Sequence, residues 1–144
     1  MKKMALDIGD VRVGIAVSDP LNIVANPRET YISAKDLDTD VNYFINYAKK
    51  ENCDTIIIGL PMNMDGTHGE MVEKVKRFGQ RIQELSDMDI VYQDERLTTV
   101  SAEKMLISAN VRRDKRKKVI DKVAATIILE AYLSKNKIQV VFIT

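Results

Sequence analysis

The chain has 144 residues, 45% of them apolar and 30% charged, with 22 basic and 21 acidic side chains for a net charge of +1. That length reads as a single domain over residues 1–144, with enough apolar material for one core. One cysteine and one histidine, Cys53 and His68, exclude an intramolecular disulfide and a Cys/His zinc site. No apolar run approaches the roughly 18 residues of a membrane span. The N-terminus meets Asp7 too early for a signal-peptide core, so a soluble, cytoplasmic protein with no membrane partner is expected.

Residues 4–8 and 11–18 have the composition of strands. The second alternates Val11, Val13, Ile15 and Val17 on one face with Arg12, Gly14, Ala16 and Ser18 on the other. Gly9-Asp10 between them suits a hairpin turn. A third strand is expected within 23–32, at a sheet edge because of Pro27. Leu37, Val41, Phe44, Ile45 and Ala48 then fall at helical spacing. Residues 55–58 form a short buried strand closed by Gly59. Val72, Val75, Phe78, Ile82 and Leu85 make a second helical stripe, and 90–92 a short strand ending at Gln93-Asp94-Glu95. A short helix carries Ala102, Met105, Leu106 and Ala109. A long one carries Ile120, Val123, Ala124, Ile127, Ile128 and Ala131, and 139–143 has the composition of a last strand. Hairpin strands followed by β-α alternation predict an α/β fold: a mixed sheet, antiparallel in its first three strands, with helices on both faces. Ligands in such sheets sit at the carboxyl ends of the parallel strands.

With so little sulfur and imidazole, the available chemistry rests on carboxylates, hydroxyls and cations. Asp7 lies inside the first strand, where an unpaired carboxylate is costly. Asp94 and Glu95 close the strand at 90–92, and Asp121 opens the last long helix. If the first and fifth strands approach each other, Asp7 and Glu95 can face one pocket, with Asp121 brought over the same edge. Ala124 and Ala125 would let that helix come close. Carboxylates crowded in one pocket raise each other's pKa unless a cation intervenes, and oxygen-only ligands suit Mg²⁺ or Mn²⁺. Two such ions, about 3.5–4 Å apart, can stabilise the attacking and leaving oxygens of a phosphodiester displacement. Each acid also has a plainer role open to it: a turn or cap for Asp7, a first-turn acid for Asp121, solvated loop charge for Asp94 and Glu95. The segment 112–118 (RRDKRKK) carries +5 while the rest of the chain sums to −4. Its Arg112, Arg113, Lys115, Arg116, Lys117 and Lys118 suit a phosphate backbone, or a solvated loop.

Four blocks in order, ALDIGDVRVGIAVSDP, IIIGLPMNMDGTHG, DERLTTVSAEKML and KRKKVIDKVAATIILEAYL, resemble the YqgF family over residues 1–133. These bacterial proteins have a ribonuclease H-like fold, are related to Holliday-junction resolvases and are described as nucleases of pre-16S ribosomal RNA. The resemblance implies a five-stranded ribonuclease H-like sheet and a divalent-metal-dependent nuclease, with two ions when substrate is bound. It matches Asp7 to the metal-binding aspartate of the first strand, Glu95 to the acid after the later parallel strand and Asp121 to the acid of the final helix. These three are therefore the expected catalytic and metal-binding residues, with Asp94 as a neighbour of second rank.

Arg12 and Arg96 are expected at substrate, or as a strand arginine and an acid's partner. Thr98 and Thr99 are read as helix caps, with a phosphate contact as the alternative. Asn63 and Asp65 lie in the loop after a parallel strand, where functional loops tend to sit. Ala109-Asn110 depart from the glycine-containing turn expected there. The expected substrate is structured nucleic acid, foremost ribosomal RNA precursor at its 5′ end, with branched DNA as the alternative, acted on by a monomer or homodimer. Two other readings compete: a non-catalytic factor in ribosome assembly or transcription, and a nucleotide-binding protein. For the last, residues 9–14 have P-loop-like glycine spacing but continue Ile15-Ala16 in place of Lys-Ser/Thr.

Overall fold

The computed structural model describes residues 1–61, 69–94 and 123–134. Strands β1 (Lys2–Ile8) and β2 (Arg12–Ser18) form the expected hairpin. Its turn is closed by the Gly9 amide donating to the Arg12 carbonyl at 2.8 Å. A Cβ on residue 9 would stand 2.9 Å from that same oxygen, so the turn requires glycine. Strand β3 (Ala25–Ile32) pairs antiparallel with β2, and the ladder shifts register between Ile15 and Ala16, where Pro27 is the partner without an N–H. Pro27 therefore sits on an edge strand, as its chemistry requires.

Helix α1 (Leu37–Lys50) begins where the Asp36 carboxylate accepts from the Thr39 amide at 3.0 Å. Acids lie in its first turn and Lys49 and Lys50 in its last, matching the helix dipole. Then follow β4 (Cys53–Leu60), α2 (Glu70–Leu85) and β5 (Asp89–Asp94). The sheet order is β3-β2-β1-β4-β5, with β1, β4 and β5 mutually parallel. Residues 123–134 are helical. The expected helix around Ala102–Ala109 and strand at 139–143 lie outside the described residues.

Strand alternation divides the interior into two layers. Met4, Leu6 and Ile8 of β1, Val13, Ile15 and Val17 of β2, and Ile56 and Ile58 of β4 point to the side covered by α1 and α2. There they meet Val41, Phe44, Ile45, Val75, Phe78 and Ile82. On the other side Ala5, Ala16, Ala25 and Ile57 meet Ala125, Ile128, Leu129 and Leu133 of the helical segment. Helices thus cover both faces, as expected. The buried arc of that segment differs from the expected one: Ala125, Leu129 and Leu133 are buried whereas Ala131 is exposed. Apolar residues nearly encircle this stretch, so its own periodicity does not choose an arc. The sheet does.

Candidate active site

Asp7 stands near the carboxyl end of β1 and has the parity of Ala5, which puts it on the sheet face covered by residues 123–134. Its partner across the hairpin is Gly14. On its other flank the β1–β4 pairing runs through Leu6 and Ile58, so one step further Asp7 comes level with Gly59. Gly59 in turn pairs with Gln93 of β5. The row across the sheet therefore reads Gly14, Asp7, Gly59, Gln93, and neither strand neighbour sets a side chain beside the carboxylate. Adjacent strands lie about 4.8 Å apart, so β5 approaches β1 only across the width of β4.

Arg12 opens β2 on the same face, two residues before Gly14, and is exposed. Asp94 pairs with Leu60, and Leu60 packs with the α1/α2 layer. The two acids thus belong to opposite faces: Asp7 to the 123–134 side, Asp94 to the α1/α2 side. Glu95, Arg96, Thr98, Thr99, Asn63, Asp65, Asp121 and the basic residues of 112–118 lie outside the described residues.

The Cys53 thiol sits at the start of β4, the sheet end away from Asp7, and is buried. Burial pushes it up to about 11, and it packs within the α1/α2 layer. Sequence reasoning missed Lys74, whose ammonium donates to the Gly9 carbonyl at 3.1 Å and ties α2 to the hairpin turn two residues beyond Asp7. A lysine on an amphipathic helix carries no sequence signal for such a contact.

Among the described residues no three acidic, imidazole or thiol groups converge on a metal position. Among the described residues, what the 123–134 face of the sheet offers a divalent cation near the strand ends is the Asp7 carboxylate, flanked by two glycines. A side chain at either position would occupy the space next to the carboxylate. That donor chemistry fits Mg²⁺ or Mn²⁺, with further oxygens required to complete the shell.

The sequence matches the family RuvX, "Holliday junction resolvase", over residues 1–135. The chain belongs to this family. Relatives of RuvX type are close in sequence. A protein of Desulforamulus reducens named "Putative pre-16S rRNA nuclease" is 46% identical over 136 residues, covering 94% of this chain and 98% of that one. The protein of the same name from Streptococcus equi subsp. zooepidemicus is 47% identical over 138 residues, covering 94% and 99%. Thermus thermophilus RuvC, solved in complex with a Holliday junction substrate, superposes with a TM-score of 0.60 at 9% identity, over 95% of this chain and 96% of RuvC. A second RuvC structure from the same organism gives 0.54 at 8% identity, over 95% and 97%. At such identities the likeness concerns the fold, which is the ribonuclease H-like sheet expected of the family. No helix among the described residues is long and apolar enough to cross a membrane.

Proposed function

We propose that this protein is a metal-dependent nuclease that hydrolyses phosphodiester bonds of structured nucleic acid, with the 5′ end of pre-16S ribosomal RNA as its substrate. The observation that carries the reading is the placement of Asp7. It lies at the carboxyl end of the parallel strands, where ligands sit in such sheets, between two glycines, in a chain whose close relatives bear the name of an rRNA nuclease.

In this reading Asp7, Glu95 and Asp121 are the catalytic carboxylates. Asp94 belongs to the face opposite Asp7, which favours the residue matched by the family resemblance, Glu95, as the second ligand. A divalent cation held by these oxygens would supply positive charge against the scissile phosphate. Arg12 holds a neighbouring phosphate, and Arg96 and the cations of 112–118 bind the backbone and lend the complex a steep salt dependence. Asn63 is assigned to the edge of the site, and Thr98 and Thr99 to capping the segment after Glu95. The description of the family as a Holliday junction resolvase supports branched DNA as the second substrate.

The test is cleavage of precursor 16S rRNA and of a four-way DNA junction, in Mg²⁺, in Mn²⁺ and in EDTA, by the native chain and by Asp7→Asn. Cleavage of the precursor should require the cation and fall at least about a hundredfold in Asp7→Asn, with RNA binding kept. Undiminished cleavage by Asp7→Asn would remove the proposed site. Binding with no cleavage by the native chain would make the protein a non-catalytic factor, and cleavage of the junction alone would move the substrate to DNA.

A further inference from the structure

A cavity of about 300 Å³ opens on the sheet face opposite Asp7, at the same end of the sheet. It lies between the β1–β2 turn, the loop from β3 into α1 and the first half of α2. Its volume is at the lower end of the about 300–1,000 Å³ usual for small-ligand sites. Leu37 and Phe78 form its apolar floor, and three cations stand around it, Lys35, Lys74 and Arg77. None of the three forms an ion pair among the described residues, and Lys74 spends one proton on the Gly9 carbonyl.

The acids of the cavity are not equivalent. Asp40 is buried and already accepts from the Tyr31 hydroxyl, the Ser33 hydroxyl and the Ala34 amide at 2.8, 2.5 and 2.9 Å. Asp36 uses only Oδ2, for the Thr39 amide and hydroxyl, so its Oδ1 is free to accept. Asp10 makes no hydrogen bond to a described residue. The cavity thus combines an apolar floor, cationic donors and two carboxylate acceptors. A bare phosphate ladder would be repelled by Asp10 and Asp36, and an apolar ligand would strand the cations. A nucleotide unit satisfies all three demands: phosphate for the cations, ribose or base donors for the carboxylates, and a ring for the floor.

Lys35 adds a second observation. Its backbone is left-handed at φ 61°, a conformation that favours glycine or asparagine over lysine. The loop holds it there through the Lys35 amide donating to Ser33 Oγ at 3.1 Å, on the hydroxyl that itself donates to Asp40. A left-handed lysine at a cavity rim, tied through Ser33 to the buried Asp40, is the kind of outlier from which a functional position is inferred.

We propose that this cavity binds one nucleotide of a single strand that continues past the cleavage edge around the β1–β2 turn, its phosphate held by Lys35, Lys74 and Arg77. The proposal rests on the nuclease reading for its substrate, but its test does not depend on cleavage. Uridine 5′-monophosphate is titrated into the isotope-labelled full chain in EDTA, and a short oligouridylate is bound in parallel by fluorescence anisotropy. The mononucleotide should shift the amide signals of residues 33–37 and 74–78. The double variant Lys35→Asn, Arg77→Gln should weaken oligouridylate at least about tenfold. Asparagine accepts the left-handed backbone and glutamine keeps the helix, so the melting temperature should hold. Lys35→Asn alone, as stable as the native chain, should show part of the loss.

Unchanged affinity in the double variant, shifts confined to other residues, or equal competition by inorganic phosphate would each overturn the nucleotide assignment. A chain that binds the mononucleotide here yet cleaves nothing would retract the nuclease reading and keep the pocket. Cleavage that needs Asp7, with affinity indifferent to Lys35 and Arg77, would do the reverse.

Discussion

The two faces of the sheet are built to different designs. On the α1/α2 side bulky side chains interlock: Phe44 is wholly buried, with its ring 5.3 Å from Tyr31, 6.0 Å from Tyr43 and 6.1 Å from Phe78. On the other side the sheet offers mainly alanines, Ala5, Ala16 and Ala25, and the helix answers with Ala125. Small residues let the backbones of helix and sheet approach closely, at the cost of buried area. The first face holds most of the large apolar side chains. The second carries Asp7 between Gly14 and Gly59. Stability and the proposed chemistry are thus separated by the thickness of one sheet, and a substitution on one face should register mainly on one property.

The largest effect expected on stability is from Phe44→Ala. Removing that ring should cost about 3–5 kcal/mol, read by urea unfolding, while the protein that remains folded cleaves as before. Ala125→Leu is the converse probe. Overpacking the close approach should cost about 1–3 kcal/mol, less than the loss of Phe44. It should also depress cleavage out of proportion to stability, because the displaced helix packs on the sheet face that carries Asp7. Equal losses of stability from the two variants, or normal cleavage by Ala125→Leu, would break the contrast between the faces.

A smaller effect is confined to the α1 side. Burial, then the hydrogen bond to Asp40, pushes Tyr31 up to about 12. The hydrogen bond to Glu29, then burial, pushes Tyr43 up to about 12 as well. Both folded values exceed the ordinary value of about 10, so the unfolded chain loses these protons first. Their contribution is intact below pH 10 and declines as pH rises through about 12. Urea midpoints at pH 9 and pH 11 should therefore differ more in the native chain than in the double variant Tyr31→Phe, Tyr43→Phe.

Much of the architecture was legible in local pattern. The alternation of Val13, Ile15 and Val17 against Gly14 and Ala16 is the observed division of β2 between the two layers. The stripes Val41–Phe44–Ile45–Ala48 and Val72–Val75–Phe78–Ile82 are the buried faces of α1 and α2. Leu85 belongs to the second stripe by spacing yet is exposed at the end of α2, where Ile82 is the last residue of the stripe to reach the core. Of the candidate site, Asp7 and Arg12 were legible as an acid in a strand and a cation on its hairpin partner. Which face Asp94 takes was not legible until β5 was paired, because the strand register decides where each residue goes.

Periodicity, turn chemistry and capping belong to short stretches of chain, and for this protein they settle the order and type of the described elements, the glycine turn at residue 9 and the edge position of Pro27. Neighbours across the sheet belong to no stretch. That Asp7 stands between Gly14 and Gly59, that residues 123–134 bury the arc of Ala125, Leu129 and Leu133, and that Lys35, Lys74 and Arg77 surround one cavity were decided by strand register and by which face each crossover covers. The physical reason is that local conformation is governed by contacts within a few residues, whereas these juxtapositions join segments that only burial of the common core brings together.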